Sequence, residues 1–222
     1  MARRDGAALI LAAAETLIAE RGVDVPLRDI AAAADQRNNS AVQYHFGTRD
    51  RLITAVVEGR NAALEAYRLT ALADAEGTDD LNDIRPLVDL IVRPIAEIPP
   101  QQGATHYARF LEQVRNHPAV LGDPAHWTVE SPAMRIILAR LDRAMENSLP
   151  PKLRRMRLMT LARTMFALLA DRERDLESRR LKPAAADAST ANIVDVLVAV
   201  LCAEPSDAVL DALGAVPQKA SR

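Results

Sequence analysis

The sequence predicts an all-α protein, and three features of its composition support that prediction. Only 8 of the 222 residues are Gly. Gly and Pro are the two residues that helix interiors tolerate least. Ala and Leu, which cost least in a helix, recur along the chain, and runs of β-branched residues are few. We therefore expect the 13 Pro and the Gly residues at helix ends.

The composition also excludes several classes of protein. The single cysteine, Cys202, cannot form an internal disulfide or a thiolate metal cluster, which excludes a disulfide scaffold and a zinc finger. The first residues lack the apolar core of a signal peptide. The longest apolar run, Ile193 to Ala203, is shorter than the roughly 20 residues of a membrane span. We expect a cytoplasmic protein that neither spans nor binds a membrane.

Two helices are predicted in the first 34 residues. Apolar residues four positions apart between Leu9 and Ile18 predict the first helix. It ends at Gly22, a residue suited to the left-handed C-terminal cap. Pro26 fits the start of a second, short helix that continues to Ala34.

A polar turn and two further helices follow. The run from Asp35 to Asn38 favours a tight turn, because Asp and Asn tolerate left-handed backbone. A third short helix is expected to end near Phe46 and Gly47, and Thr48 can cap a longer fourth helix over about 48–72. Beyond it, Pro and acidic loops separate longer predicted helices, which run over 81–98, 104–116, 133–149, 153–178 and 193–203.

The third predicted helix has the features of a DNA reader. Two short helices joined by a turn, with a longer helix supporting them, make a helix-turn-helix, whose second helix enters the major groove. Val42 and Phe46 are four residues apart and can be buried together, which leaves Ser40, Gln43 and Tyr44 on other faces. Gln can bond adenine through two atoms, Ser can bond several bases and Tyr can bond a phosphate oxygen.

This part of the sequence resembles the N-terminal domain of TetR-type transcriptional regulators over roughly residues 7 to 58. The resemblance is carried by 10–22, by Arg-Asp-Ile-Ala in the second helix, and by the Tyr-x-Phe ending of the third helix with the Gly-Thr-Arg that follows. It implies base contacts from Ser40 and Gln43 and phosphate contacts from Tyr44 and Arg49.

The turn departs from the family pattern, because Asp35 stands where the family usually has Gly and the turn has one residue more. Residues 1–60 hold eight Arg and eight acidic residues, so DNA binding requires the Arg residues, including Arg3 and Arg4, to gather on one face. The predicted DNA-facing residues are Arg28, Arg37, Asn38, Asn39, Ser40, Gln43, Tyr44, His45 and Arg49.

The last two long helices carry apolar stripes that can serve either the protomer's own core or a dimer interface. A two-fold operator requires a two-fold protein, and the resemblance implies a dimer formed through these helices as a four-helix bundle. The predicted interface residues are Leu158, Ala162, Met165, Leu169, Val194, Leu197 and Leu201.

The middle helices gather rare aromatic and imidazole side chains with an Arg, a mixture typical of a ligand pocket. The resemblance makes this the site of a small-molecule effector, whose identity the sequence leaves open. The predicted pocket residues are His106, Tyr107, Arg109, Phe110, His126 and Trp127.

The expected organisation is a helix-turn-helix domain over 1–50, a linking helix over about 48–72, and an effector-binding and dimerisation domain over 51–222. The resemblance implies a bacterial repressor that binds a palindromic duplex operator as a homodimer and is released by its effector. The alternatives are an all-α protein-interaction module or a helical enzyme. Enzymatic motifs such as G-x-S-x-G and H-E-x-x-H are absent from the sequence, and we expect no metal or cofactor.

Overall fold

The computed structural model describes residues 2–36, 38, 40–75, 83–97, 106–121 and 131–214, with the side chains of 2–5, 119 and 121 left aside. Every regular element within these ranges is a helix, which confirms the all-α prediction. The α-helices are α1 (Ala2–Arg21), α2 (Leu27–Ala33), α3 (Ala41–Phe46), α4 (Arg49–Asp74), α5 (Ile84–Ala96), α6 (Tyr107–Gln113), α7 (Pro118–Leu121), α8 (Pro132–Ala144), α9 (Pro151–Glu177), α10 (Ala186–Cys202) and α11 (Asp207–Ala212).

Helices α1 to α4 end within about two residues of their predicted ends, and α1 begins at Ala2, before the run from Leu9 on which it was predicted. Gly22 ends α1 with a φ of 89°, and its N–H donates to the carbonyl of Ile18 at 2.9 Å. The Thr48 hydroxyl accepts a hydrogen bond from the Arg51 N–H at 3.2 Å and so caps α4. One side chain from each of these four helices is fully buried in their shared core, namely Ile18, Ile30, Val42 and Leu52.

The turn after α2 explains how Asp35 substitutes for glycine. Asp35 has a φ of 53°, in the left-handed region that favours Gly but that Asp tolerates. Its N–H donates to the Ala32 carbonyl at 3.1 Å, and the Gln36 N–H donates to the Ala31 carbonyl at 3.0 Å. This is the hydrogen-bond pattern of a Schellman cap, so α2 ends in an ordered way without glycine.

Helix α5 continues through a proline, and a buried arginine compensates. Pro94 has no N–H, so the Leu90 carbonyl loses its helical partner. Arg68 on α4 donates to that carbonyl at 3.2 Å and to the Ile91 carbonyl at 3.4 Å. Burial lowers the pKa of Arg68 from its usual value, and the nearby Glu65 carboxylate partly offsets that effect. The arginine thus joins α4 to α5 at the proline.

The long helices α9 and α10 pack against each other, and they also cover α6 and α5. Five residues of the predicted dimer interface are buried within the protomer in this packing, and the interface itself stays a prediction. These buried residues are Met165, Leu169, Val194, Leu197 and Leu201.

Helix α10 begins at Ala186, seven residues before the apolar run from which it was predicted. The helical stretch Pro183–Cys202 is long and apolar enough to span a membrane by length and composition. It packs on α9 and α5, and 28% of its most apolar window is buried inside the protein. Core helices of soluble proteins have the same properties, so the stretch is weak evidence for a membrane segment.

Candidate DNA-binding surface

A turn closed by the Asn38 side chain precedes α3. The Asn38 Oδ1 accepts a hydrogen bond from the Ser40 N–H at 2.9 Å, and the Asn38 carbonyl accepts one from the Ala41 N–H at 2.9 Å. Asn38 was predicted to face DNA, and the structure adds a local role, since its side chain orders the start of α3. No contact of its amide nitrogen is found among the described residues.

Helix α3 is buried on one face and exposed on the other. Val42 is fully buried, whereas Ser40 and Gln43 are exposed and Tyr44 is 69% exposed. Tyr44 is therefore not a core residue. Its ring meets the His45 ring edge to face, with the ring centroids 5.3 Å apart. The structure thus brings three predicted contact residues together on one exposed surface.

His45 lies at the edge of this surface and is half-buried. A Cβ atom added to Gly6 of α1 would lie 3.9 Å from the His45 Nε2 and 3.6 Å from the Gln36 Oε1. Both side chains therefore approach the first turns of α1. Both distances are ordinary van der Waals contacts, so an alanine would also fit at position 6.

Arg28 is exposed on α2 and shares an acidic partner with α1. Its Nε lies 3.5 Å from the Asp29 Oδ1, and the Arg21 Nη1 lies 3.8 Å from the Asp29 Oδ2. Exposed pairs of this kind are worth about 0–1 kcal/mol, so either guanidinium can leave Asp29 for a phosphate. Two other predicted residues, Arg37 and Asn39, lie outside the described residues, as do the side chains of Arg3 and Arg4.

Arg49 is the predicted contact whose surroundings differ most from expectation. It is half-buried, and its Nη1 donates to the carbonyls of Val23 at 2.5 Å and Val25 at 2.7 Å. These carbonyls belong to the loop between α1 and α2. The phosphate contact of Arg49 stays a prediction, and this guanidinium has a second, intramolecular role.

Arg51 is a candidate that the sequence did not single out. It is exposed in the first turn of α4, and no ion pair of its guanidinium is found among the described residues. A cation near the positive end of a helix dipole is unfavourable unless an anion is close by. The rule applies equally to Arg49, so only the exposure seen in the structure distinguishes Arg51.

A buried ion pair connects these helices to the rest of the protein. The Glu15 carboxylate on α1 accepts two hydrogen bonds from Arg60 on α4, at 2.8 and 2.9 Å, and one from the His106 N–H at 3.4 Å. The Arg60 guanidinium also lies over the Tyr107 ring, 5.7 Å from its centroid. Through these contacts α1 and α4 meet the beginning of α6.

The residues predicted for the effector pocket cluster at α6. Tyr107 and Phe110 are buried with stacked rings 6.1 Å apart, and burial strongly raises the pKa of Tyr107. Arg109 contacts the His106 Nδ1 and pairs with Glu177 at 2.8 Å. Their role as ligand contacts stays a prediction. His126 and Trp127 lie outside the described residues.

A carboxylate from α9 holds the start of α6. Glu173 accepts hydrogen bonds from the N–H groups of Ala108 and Arg109, both at 3.0 Å. A carboxylate at this end also complements the helix dipole. The described residues contain no group of three or more His, Cys, Asp or Glu side chains suited to holding a metal ion.

A comparison with known families agrees with this geometry. Residues 10–56 match the family described as bacterial regulatory proteins, tetR family. The match begins in the middle of α1 and ends in α4, so it spans the helix-turn-helix and its supporting helices. No curated protein matches the chain. Residues 10–56 thus form an N-terminal domain of the tetR type, which supports a DNA-binding transcriptional regulator.

Proposed function

We propose that the protein is a ligand-responsive repressor, which binds a palindromic operator as a homodimer in the bacterial cytoplasm and leaves it when a small molecule binds. The observation that carries this proposal is the exposed polar surface of α3, formed by Ser40, Gln43 and Tyr44. The same helix is anchored by the buried Val42. This combination suits a helix that must be held rigidly while its outer face reads another molecule.

In the proposed complex, α3 lies in the major groove. Gln43 bonds an adenine through its amide, Ser40 contacts a neighbouring base and Tyr44 bonds a phosphate oxygen. Arg28 and Arg51 are exposed on either side of the turn and supply cations for the backbone. Two copies of α3 related by a two-fold axis would reach successive major grooves, about 34 Å apart.

The proposed dimer uses the outer faces of α9 and α10 rather than their buried stripes. Met156 is 51% exposed and Val196 is 40% exposed, although both are large and apolar. Leu158 and Ala162, two of the predicted interface residues, are half-buried and available at the edge. An apolar helix with this much free surface is best stabilised by a second copy packed against it.

The proposed effector acts through α6. A ligand that separates or shifts Tyr107 and Phe110 would displace the start of α6, where Glu15 and Arg60 attach α1 and α4. The two α3 helices of the dimer would then no longer match successive grooves. Thermodynamic coupling of this kind requires the effector to bind the DNA-free arrangement more tightly.

A shift assay on the duplex DNA upstream of its own gene and neighbouring genes tests the proposal. Wild-type protein is expected to bind one such fragment at two salt concentrations, more tightly than an unrelated duplex of equal length. Gln43→Ala is expected to weaken this preference while it keeps non-specific binding. Equal affinity of the wild type for all duplexes, or no binding, would contradict the proposal.

A further inference from the structure

Arg49 is the first residue of α4, and its guanidinium is directed into the protein. Both hydrogens of its Nη1 are used, one on the Val23 carbonyl at 2.5 Å and one on the Val25 carbonyl at 2.7 Å. These two carbonyls belong to the loop that joins α1 to α2. Hydrogen bonds from a charged donor are about twice as strong as neutral ones.

The loop between α1 and α2, which Arg49 contacts, sets the orientation of α2 in the helix-turn-helix. Gly22 has a φ of 89°, and the Val25 N–H makes only a long hydrogen bond of 3.4 Å to the Gly22 carbonyl. Pro26 and the start of α2 at Leu27 follow at once. The backbone of the loop therefore depends on Arg49 for its strongest described contacts, and α3 packs on both α2 and α4.

The neighbouring Arg51 provides a contrast within one helical turn. Arg49 is half-buried and bonded to two carbonyls, whereas Arg51 is exposed, and its guanidinium has no ion pair in the part of the chain that the structure describes. We infer that Arg49 is a positioning residue, which fixes the α1–α2 loop and hence the angle of α2 and α3 against α4, and that Arg51 contacts a DNA phosphate. This inference rests on the proposed DNA-binding function.

The positioning role is tested first without DNA, by amide hydrogen exchange of the full-length protein. Arg49→Ala is expected to raise the exchange rate of the Val25 N–H at least fivefold, because the loop loses both carbonyl contacts. Arg49→Lys, whose ammonium can donate to both carbonyls, should restore most of the protection. Arg51→Ala is the matched control and should leave this rate unchanged. Equal rates in Arg49→Ala and wild type would overturn the positioning role.

DNA binding over a range of salt concentrations then separates the two arginines. Loss of a phosphate contact lowers the slope of log affinity against log salt by about 0.9. Arg51→Ala is expected to show this decrease. Arg49→Ala is expected to weaken operator binding about tenfold at every salt concentration with an unchanged slope, and Arg49→Lys should bind nearly as tightly as wild type.

The reverse pattern overturns the inference: a slope lowered by about 0.9 in Arg49→Ala, or unchanged operator affinity in that variant. If Arg49→Ala does not fold, as judged by circular dichroism, Arg49→Gln is used, since its shorter amide cannot hold both carbonyls. It should show the same faster exchange and the same slope as wild type. If no variant and no wild-type protein binds DNA, the proposed function fails, while the exchange experiment still decides the role of Arg49 in the loop.

Discussion

The ion pair between Glu15 and Arg60 is a buried contact whose loss should be costly to the protein. Glu15 is only 5% exposed, and Arg60 supplies two of its hydrogen bonds at 2.8 and 2.9 Å. In Arg60→Ala the carboxylate would remain buried with only the His106 N–H at 3.4 Å. The charge would then be neither paired nor solvated.

The magnitude follows from the cost of an uncompensated buried charge. Removing one partner of a buried ion pair costs about 3–5 kcal/mol. The contact of Arg60 with the Tyr107 ring contributes about 0.5–2 kcal/mol and is lost as well. We therefore expect Arg60→Ala to lower the free energy of unfolding by at least about 3 kcal/mol. The exposed pair of Arg85 with Asp195 supplies the control, because Arg85→Ala should cost about 0–1 kcal/mol.

Urea denaturation at a fixed protein concentration measures both changes. Arg60→Ala should shift the midpoint far more than Arg85→Ala. The double variant Glu15→Leu/Arg60→Leu should recover much of the loss, since an apolar pair often replaces a buried ion pair at little cost. A loss below about 1 kcal/mol in Arg60→Ala, or no recovery in the double variant, would refute this reasoning.

Three further predictions concern pH, base selectivity and assembly. Burial raises the pKa of Tyr107, so the folded protein keeps the phenol proton at a pH where the unfolded chain releases it, above about 10. The melting temperature should therefore fall as the pH rises from about 9.5 to 11. The fall should be less steep in Tyr107→Phe. Gln43→Ala should lose about 1–3 kcal/mol of discrimination at one operator base pair in each half-site, which a panel of single-base operator variants measures; an unchanged profile would remove Gln43 from the readout. Met156→Asp should convert the dimer to a monomer, as measured by size-exclusion chromatography with light scattering. Tyr67→Asp, on the exposed face of α4, is the control and should leave the dimer intact. If both variants are dimeric, the proposed interface is wrong.

The ends of the first four helices were largely predictable because most of them have a local signal of their own. Gly22, Pro26 and Thr48 act within a few residues of themselves; Gly22 and Thr48 have the predicted roles, and Pro26 directly precedes α2 rather than forming its first residue. The exposed face of α3 was also predictable, because helical periodicity alone separates Val42 from Gln43. Local chemistry was sufficient wherever the partner was close in the sequence.

The remainder depends on partners that are distant in sequence. A helix through Pro94 was predicted, but the Arg68 side chain that bonds the carbonyl left without its helical partner there lies on another helix. The contact of Arg49 with the carbonyl of Val23 spans 26 residues and leaves no periodic signal. The apolar stripes on α9 and α10 fit a protomer core and a dimer interface equally well. Periodicity identifies the apolar face of a helix but does not show which element packs against that face. Leu169 is therefore a core residue although the same pattern suited an interface.

Recovery of bound fragments from sheared DNA of the organism that encodes the protein tests the central claim most directly. Wild-type protein is expected to enrich a two-fold symmetric sequence with half-sites one helical turn, about 10 base pairs, apart. A variant that replaces both Gln43 and Tyr44 with Ala should give no enrichment of that sequence. Failure of the wild type to enrich any sequence, or equal enrichment by the variant, would contradict the account of α3 as the reader of a specific operator.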